Sequence, residues 1–301
     1  LYISLLMLLF AVSSCQDFLD RPPYDSIPDT EYWQNEEHIR TYAYGFYPSF
    51  FVGYGTSGLI SGSLFGNGDT FNDDIAWNVQ SEFTPIRVPD SDGGWSFGIV
   101  RKANYMLEMT AQVPGLTEEA MNHWIGIGRF FRGMEYARLV RMFGDVPYYD
   151  HVVLNTDVKD LYKPRDSREY VMDKVAEDFE FASKFVRQSD GTKGLTVNRD
   201  VVNAFISRVM LFEGTWQKYV EKNDEYAAKY LQIAKTAAET VMSSGYTISD
   251  NYKALTNSIS LAGNPEIILY REYEEGVITH AEMSWQSEQT LGNAPSKDLI
   301  D

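Results

Sequence analysis

The stretch from Thr117 to Asp150 constrains the fold more than any other part of the chain, because it encodes a long helix with clear ends. Small and large residues alternate along one helical face, at steps of three and four: Gly126, Phe130, Gly133, Ala137 and Val140. A second apolar set lies beside it: Trp124, Ile127, Phe131, Met134 and Met142. Thr117 can cap the start, and Gly144 with Pro147 can end the helix. The pattern predicts a helix buried on more than one side that lets a second backbone approach closely.

Other segments also have apolar residues at helical steps: 29–47, 95–111, 167–186, 201–216 and 226–244. We expect Asp29 or Thr30 to cap the first helix, which ends near Pro48, and Ser167 to cap the third. Strand signals are sparse, with 266–270 the best and 246–249 a weak second. The sequence therefore predicts a mostly α fold of stacked helical hairpins with long loops and little strand. The last two helices together are near the length of a tetratricopeptide-type repeat.

Composition limits the classes of function. With 301 residues and 44% hydrophobic content, the chain can bury a sizeable core. Its formal net charge is −17 at pH 7, and Lys and Arg form no run. Binding to nucleic acid requires a basic surface, so no nucleic-acid partner is expected.

The first residues have the features of an export signal. Leu1 to Val12 form an apolar run that is too short to span a bilayer, and Ser13-Ser14-Cys15 follow at once. Small residues before a Cys resemble a bacterial lipoprotein signal, in which that Cys is lipidated; an incidental thiol is the alternative. Without an initial Met or a preceding basic residue, the chain is expected to begin inside this signal. The expected divisions are a partial signal peptide, 1–14, and a lipidated tether, 15–28.

Several motifs, in order, resemble the SusD/RagB family of surface glycan-binding lipoproteins of Bacteroidota. They are CQDFLDRPP from Cys15, DTEYWQNEEHIRTYAYGFY from Asp29, RFFRGMEYARLVRMFGDVPYY from Arg129, VMDKVAEDFEFA from Val171, AETVMSSGYTI from Ala238 and NPEIILYREY from Asn264. The resemblance implies a SusD-like α superhelix of tetratricopeptide-like units. It also implies an N-terminal helical domain over 29–245 and an incomplete start of the C-terminal region over 246–301. The expected fold is therefore truncated.

The same resemblance implies a function. Family members are lipid-anchored at the cell outer membrane, face the exterior, bind oligosaccharides and deliver them to a SusC-type TonB-dependent transporter. Peptide capture is the alternative within the family. A glycoside hydrolase and a helical-repeat scaffold without a ligand are the alternatives from other classes.

Few residues of the sequence have the spacing of a metal site or a catalytic site. His38, His123, His151 and His280 are isolated, so no metal site and no cofactor are expected. A carboxylate pair for glycoside cleavage could come from Asp69, Asp73, Asp74 and Glu82. Asp in a Gly-rich stretch is more often a solvated turn former, so the chain is expected not to be an enzyme.

Candidate ligand contacts concentrate in the segment from Gly53 to Asp92, which is rich in Gly, Ser, Asn and Asp with interspersed aromatic residues. Sugar rings stack on aromatic faces while their hydroxyls bond short polar side chains. The sequence predicts a ligand site at Trp77, Asn72 and Asp74, approached by Trp285. Trp95 is expected to pack on the helical core instead.

Overall fold

The computed structural model describes residues 32–51 and 93–279, together with the backbone of two short strands. Its helices, in chain order, are α1 (Glu36–Tyr44), α2 (Tyr47–Phe50), α3 (Gly98–Thr110), α4 (Glu118–Phe143), α5 (Val158–Leu161), α6 (Arg168–Phe185), α7 (Arg199–Trp216), α8 (Asp224–Met242) and α9 (Tyr252–Asn257). A π-helical turn, Gln217–Glu221, continues α7. The strands β1 (Ile75–Trp77) and β2 (Asn293–Pro295) pair antiparallel. The fold is mostly α, as the sequence predicts.

Helix α4 lies at the centre, with α3 and α6 packed against it. The Thr117 hydroxyl accepts a hydrogen bond from the Ala120 amide at 3.1 Å, and Gly144 ends the helix at a φ of 71°. Both predicted ends are confirmed. The rings of Phe130 and Phe131 are fully buried, which confirms burial on more than one side.

Glycines bring the backbones of α4 and its neighbours together. A Cβ atom placed at Gly133 would lie 2.7 Å from Phe179 of α6, and one at Gly128 would lie 2.8 Å from Leu107 of α3. Both distances are shorter than side chains tolerate, so only glycine allows these approaches. The predicted close approach of a second helix is therefore present on two sides of α4.

The remaining long helices form the next layer. Helix α7 packs extensively on α8, and Gly214 allows the contact because a Cβ there would lie 2.7 Å from Leu231. The side chains of Ser167 and Asn198 cap α6 and α7 by accepting backbone amide hydrogens. The architecture of stacked, tetratricopeptide-like helical hairpins is confirmed. Within residues 32–51 and 93–279, no helix combines the length and apolarity needed to cross a bilayer.

The two predicted strands near the end of the chain are wrong. Neither 246–249 nor 266–270 forms a strand; the Thr247 amide bonds the Pro265 carbonyl, and the Tyr270 amide bonds the Gly194 carbonyl. Ile268 packs instead against the helical core. Strand propensity reports how well a side chain fits a half-buried surface, and here that surface is supplied by helices.

Two helix boundaries also differ from the prediction. Helix α1 begins at Glu36, where the Asn35 side chain accepts the His38 amide at 3.1 Å; Asp29 and Thr30 lie outside the described residues. Pro48 does not end this helix but occupies the first turn of α2, where its missing amide hydrogen costs nothing. Helix α3 begins at Gly98 rather than near Trp95.

The segment that leaves α4 is fixed by polar side chains from the helices. Asn104 of α3 donates to the carbonyls of Tyr149 and His151, at 3.0 and 2.9 Å. The Tyr136 hydroxyl donates to the Tyr149 carbonyl at 3.1 Å and accepts its amide at 2.6 Å. Side-chain hydrogen bonds from α3 and α4 thus fix the path of the chain after α4.

Candidate functional site

A cleft of about 750 Å³ opens between α2, α7 and the irregular segment 266–272. We name it the aromatic cleft because six rings line it: Tyr44, Tyr47, Phe50, Phe51, Phe205 and Tyr270. Its charged lining residues are Arg208, Glu266, Arg271 and Glu272. The volume and the mixture of rings with polar groups are those of a small-ligand site.

Contacts with α4 and with Val197 fix the wall of the cleft that α2 forms. The rings of Phe50 and Phe51 pack on the buried ring of Phe131 in α4, at centroid distances of 5.3 and 6.1 Å. The Tyr47 hydroxyl accepts the Val197 amide at 2.8 Å. Burial raises the pKa of Tyr47, so this phenol stays neutral. The rings of this wall are therefore fixed before a ligand arrives.

The facing wall is an irregular strip, residues 266–272. The Glu266 carboxylate accepts the Ser249 amide at 2.8 Å, which fixes one end. Near the other end the Tyr270 ring lies over Gly194, where a Cβ atom would come within 2.7 Å of the ring. Glycine at 194 thus lets this aromatic residue join the cleft.

Polar groups in the cleft remain available for a ligand. Arg208 is exposed and makes no hydrogen bond or ion pair with any residue of the described ranges. The Arg271 guanidinium lies 5.5 Å from the ring centroid of Tyr273. Glu272 is exposed and has no ionic partner within 32–51 or 93–279. Unpaired donors and acceptors beside fixed rings are what a polar ligand requires.

A second pocket, which we name the Trp95 pocket, differs in that its polar groups bond other residues of the protein. It measures about 390 Å³ and is lined by Trp95, Phe97, Tyr149, His151 and Lys163 among others. Lys163 donates to the Tyr148 carbonyl and pairs with Asp166, both at 2.8 Å. His151 lies 3.0 Å from both Asp150 and Asp160. Its polar groups are engaged within the protein, so the aromatic cleft is the stronger candidate.

Trp95 itself lies before α3 rather than inside it. The ring packs edge-to-face on Phe143, at a centroid distance of 5.0 Å, and the Arg165 guanidinium lies 4.7 Å from its centroid. It is still 37% exposed. Trp95 therefore covers the end of α4 without being enclosed in the core.

The side chains of the predicted site lie outside the described residues. This holds for Asn72, Asp74, Trp285 and the predicted lipidation residue Cys15. For Trp77 only the backbone is described: it lies in β1, directly opposite Asn293 of β2. The strand pair therefore sets the backbone of Trp77 beside that of Asn293, and the predicted site itself stays a prediction.

The sequence analysis missed the aromatic cleft. The segment 201–216 was predicted as a helix, but the other walls come from residues 44–51 and 266–272, far from it in the sequence. The available signal was the Arg at a position where the periodic pattern of α7 otherwise places apolar residues. Among the residues that the structure describes, no three His, Cys, Asp or Glu side chains converge as metal ligands.

The relatives of the chain carry a common name. SusD-like protein P38 of Formosa agariphila is 24% identical over 185 residues, which are 60% of this chain and 36% of the relative. SusD-like protein P2 of the same organism is 22% identical over 228 residues, or 73% of this chain and 44% of the relative. The chain thus spans less than half of the length of these relatives. No protein-family model matches the sequence.

Solved structures share the fold. Bacteroides fragilis NanU superposes with a TM-score of 0.57 at 18% identity, covering 88% of this chain and 53% of NanU. A SusD superfamily protein of Bacteroides fragilis gives 0.56 at 20% identity, covering 83% and 52%. The chain is thus similar to SusD-like proteins in sequence and shares the fold of solved SusD-like structures.

Proposed function

We propose that the chain belongs to a surface-exposed outer-membrane lipoprotein that binds oligosaccharides and delivers them to a SusC-type TonB-dependent transporter. The observation that carries the proposal is the aromatic cleft, with its fixed rings and unpaired polar groups. SusD-like proteins as a family bind glycans, which supports the same class of ligand. The protein acts by binding and does no chemistry on the sugar.

The chemistry of the cleft suits a saccharide. The C–H faces of a sugar ring stack on aromatic faces, and each such contact contributes about 0.5–1.5 kcal/mol beyond its buried area. Tyr44 is 39% exposed and touches Tyr47 edge-to-face at 5.3 Å, so part of its ring is free to receive a sugar. Arg208 and Glu272 supply a donor and an acceptor for the hydroxyls.

The predicted residues Trp77, Asn72, Asp74 and Trp285 extend this surface in our proposal. The antiparallel register that sets Trp77 opposite Asn293 supports a shared position for the two segments. Their side chains would add further rings and hydrogen-bonding groups to those of the cleft.

Anchoring and transport complete the proposal. Cys15 carries the lipid, residues 15–28 form the tether, and residues 29–245 form the helical domain. Residues 246–301 begin a C-terminal region. The outer membrane of Bacteroidota is the location that the family suggests. Several acyl chains on one Cys anchor a protein stably, whereas one chain binds a membrane only marginally.

A glycan panel tests the function. The full chain in detergent is incubated with immobilised oligosaccharides, and the supernatant is assayed for new reducing ends. Retention without product is the expected result. Product formation would instead support a glycoside hydrolase. Retention of a peptide library in place of glycans would support peptide capture, and retention of neither would support a scaffold.

A pair of tyrosine variants tests the site. Tyr44→Ala removes a ring from the cleft, whereas Tyr162→Ala removes a ring that is 83% exposed and does not line it. We expect the first variant to bind a retained glycan several-fold more weakly and the second to bind normally. Equal affinity of both variants would contradict the assignment of the cleft.

A further inference from the structure

We infer that the aromatic cleft selects oligosaccharides that carry an anionic group, a carboxylate or a sulfate ester, and that Arg208 contacts this group. The inference rests on the proposed function and adds the chemical class of the ligand. Arg208 follows Val201, Ala204 and Phe205 along the side of α7 that lines the cleft. The apolar side of α7 in the cleft therefore ends at the Arg208 guanidinium.

Arg208 differs from the arginines that form ion pairs in the protein. Acidic residues outnumber basic ones, 43 to 26, and several arginines pair with a carboxylate, among them Arg40, Arg132, Arg138, Arg168 and Arg187. Arg208 has no such partner within the described ranges, although it lies in a cleft that also contains acids. A guanidinium binds a carboxylate or sulfate through two parallel hydrogen bonds, so this side chain is suited to an anionic ligand group.

The charged residues of the cleft differ in how far they are engaged. Arg271, on the strip 266–272, is exposed, and within 32–51 and 93–279 its one described interaction is the ring contact with Tyr273. Glu266 accepts the Ser249 amide, whereas Glu272 has no hydrogen-bond or ionic partner in the described ranges. The two arginines and two acids balance in formal charge, but two guanidinium groups and one carboxylate are left for a ligand among the described residues.

The negative net charge of the protein also bears on where an anionic glycan can bind. A chain with a formal charge of −17 repels acidic saccharides over most of its surface. Two arginines without a carboxylate partner in the described ranges, placed beside the rings of the cleft, offset this repulsion locally. A neutral glycan experiences no such difference.

The test compares saccharides that differ only in charge. The full chain in detergent is titrated calorimetrically with tetragalacturonate and with its methyl ester, and with a sulfated galactan oligosaccharide and its desulfated form. We expect at least one charged form to bind about tenfold more tightly than its neutral counterpart, which corresponds to about 1.4 kcal/mol. Arg208→Gln should abolish this preference, because it weakens binding of the charged form far more than binding of the neutral form. Glu272→Gln should strengthen binding of the charged form.

Arg141→Gln is the matched control, because Arg141 is exposed on α4 and does not line the cleft. The inference is overturned if neutral forms bind as well as charged ones, and glycan capture then still stands. It is also overturned if Arg208→Gln and Arg141→Gln reduce binding equally, since total charge would be the cause. Binding of none of the four saccharides, together with a negative glycan panel, would remove the proposed function as well.

Discussion

The Arg132 guanidinium of α4 donates two hydrogen bonds to the Asp178 carboxylate of α6, from Nε to Oδ2 at 2.8 Å and from Nη2 to Oδ1 at 2.7 Å. Both side chains are buried. Burial raises the pKa of Asp178, and the guanidinium opposes that rise. Nη1 of the same arginine donates to Asn104 at 2.9 Å, so the pair joins α3, α4 and α6 at one point.

Removing Arg132 alone should therefore destabilise the fold. Arg132→Met leaves the buried Asp178 carboxylate without its hydrogen-bonded partner, with only Arg129 nearby at 3.9 Å, and should cost about 3–5 kcal/mol of unfolding free energy. The double variant Arg132→Met with Asp178→Leu should recover much of this loss. Urea unfolding measures both. Lys174→Met is the control: it breaks an exposed pair with Glu177, so the loss should stay below about 1 kcal/mol.

Gly133 is where α4 allows α6 to approach, and Ala there should be costly. The added Cβ would lie 2.7 Å from the Phe179 ring, so ring and helix must shift, with an expected loss of about 1–3 kcal/mol. Gly98→Ala is the matched control, because the nearest atom to its Cβ is Ser96 Oγ at 3.5 Å. We expect it to be neutral or slightly stabilising, since Ala favours helix. Equal thermal midpoints for the two variants would contradict the close contact.

Trp77→Ala tests the part of the site that the sequence predicts. A stacked ring contributes about 0.5–1.5 kcal/mol, so affinity for a retained glycan should fall several-fold while the thermal midpoint changes little. Trp124→Ala shows the opposite case: this ring is 2% exposed, and truncation should cost about 3–5 kcal/mol of stability. A fall in midpoint of that size for Trp77→Ala would place Trp77 in the core and remove it from the site.

Cys15→Ala tests the lipid anchor. Without the acylated thiol the protein should move from the membrane pellet to the soluble fraction after cell lysis. Ser14→Ala keeps a small residue before the Cys and should leave the protein in the pellet. A Cys15→Ala protein that stays with the membrane would show that another feature holds it there.

His151 should titrate above its ordinary pKa of about 6.5. The hydrogen bond to Asp150 is the largest cause of the raised pKa, and the bond to Asp160 adds to it. The stabilisation is fully present below the unfolded pKa and is lost as pH rises through the raised one. It should be small, below about 1 kcal/mol, because the pair is exposed. Proton NMR should show Asp150→Asn lowering the pKa of His151 and Glu118→Gln leaving it unchanged.

Local signals account for what the sequence predicted well. The ends of α4 depend on Thr117 and Gly144, each of which acts on a backbone group within four residues. The strand predicted at 266–270 failed because a strand needs a partner, and the residues it meets lie far away in the chain. The aromatic cleft was missed for the same reason: Tyr44, Phe205 and Tyr270 meet only after the helices have packed. The residues of such a site are brought together by the packing of the helices, and their spacing along the sequence does not reveal it.

The rings of Phe51 and Trp95 both pack on α4. Phe51 contacts Phe131 at a centroid distance of 6.1 Å, and Trp95 contacts Phe143 at 5.0 Å. The stretch of sequence between them is thus tied at both ends to the same helix. Closing a longer stretch costs little, about 0.6 kcal/mol for each doubling of length. A change in the number of residues between Phe51 and Trp95 should therefore cost little and leave the packing of α4 on its neighbours unchanged.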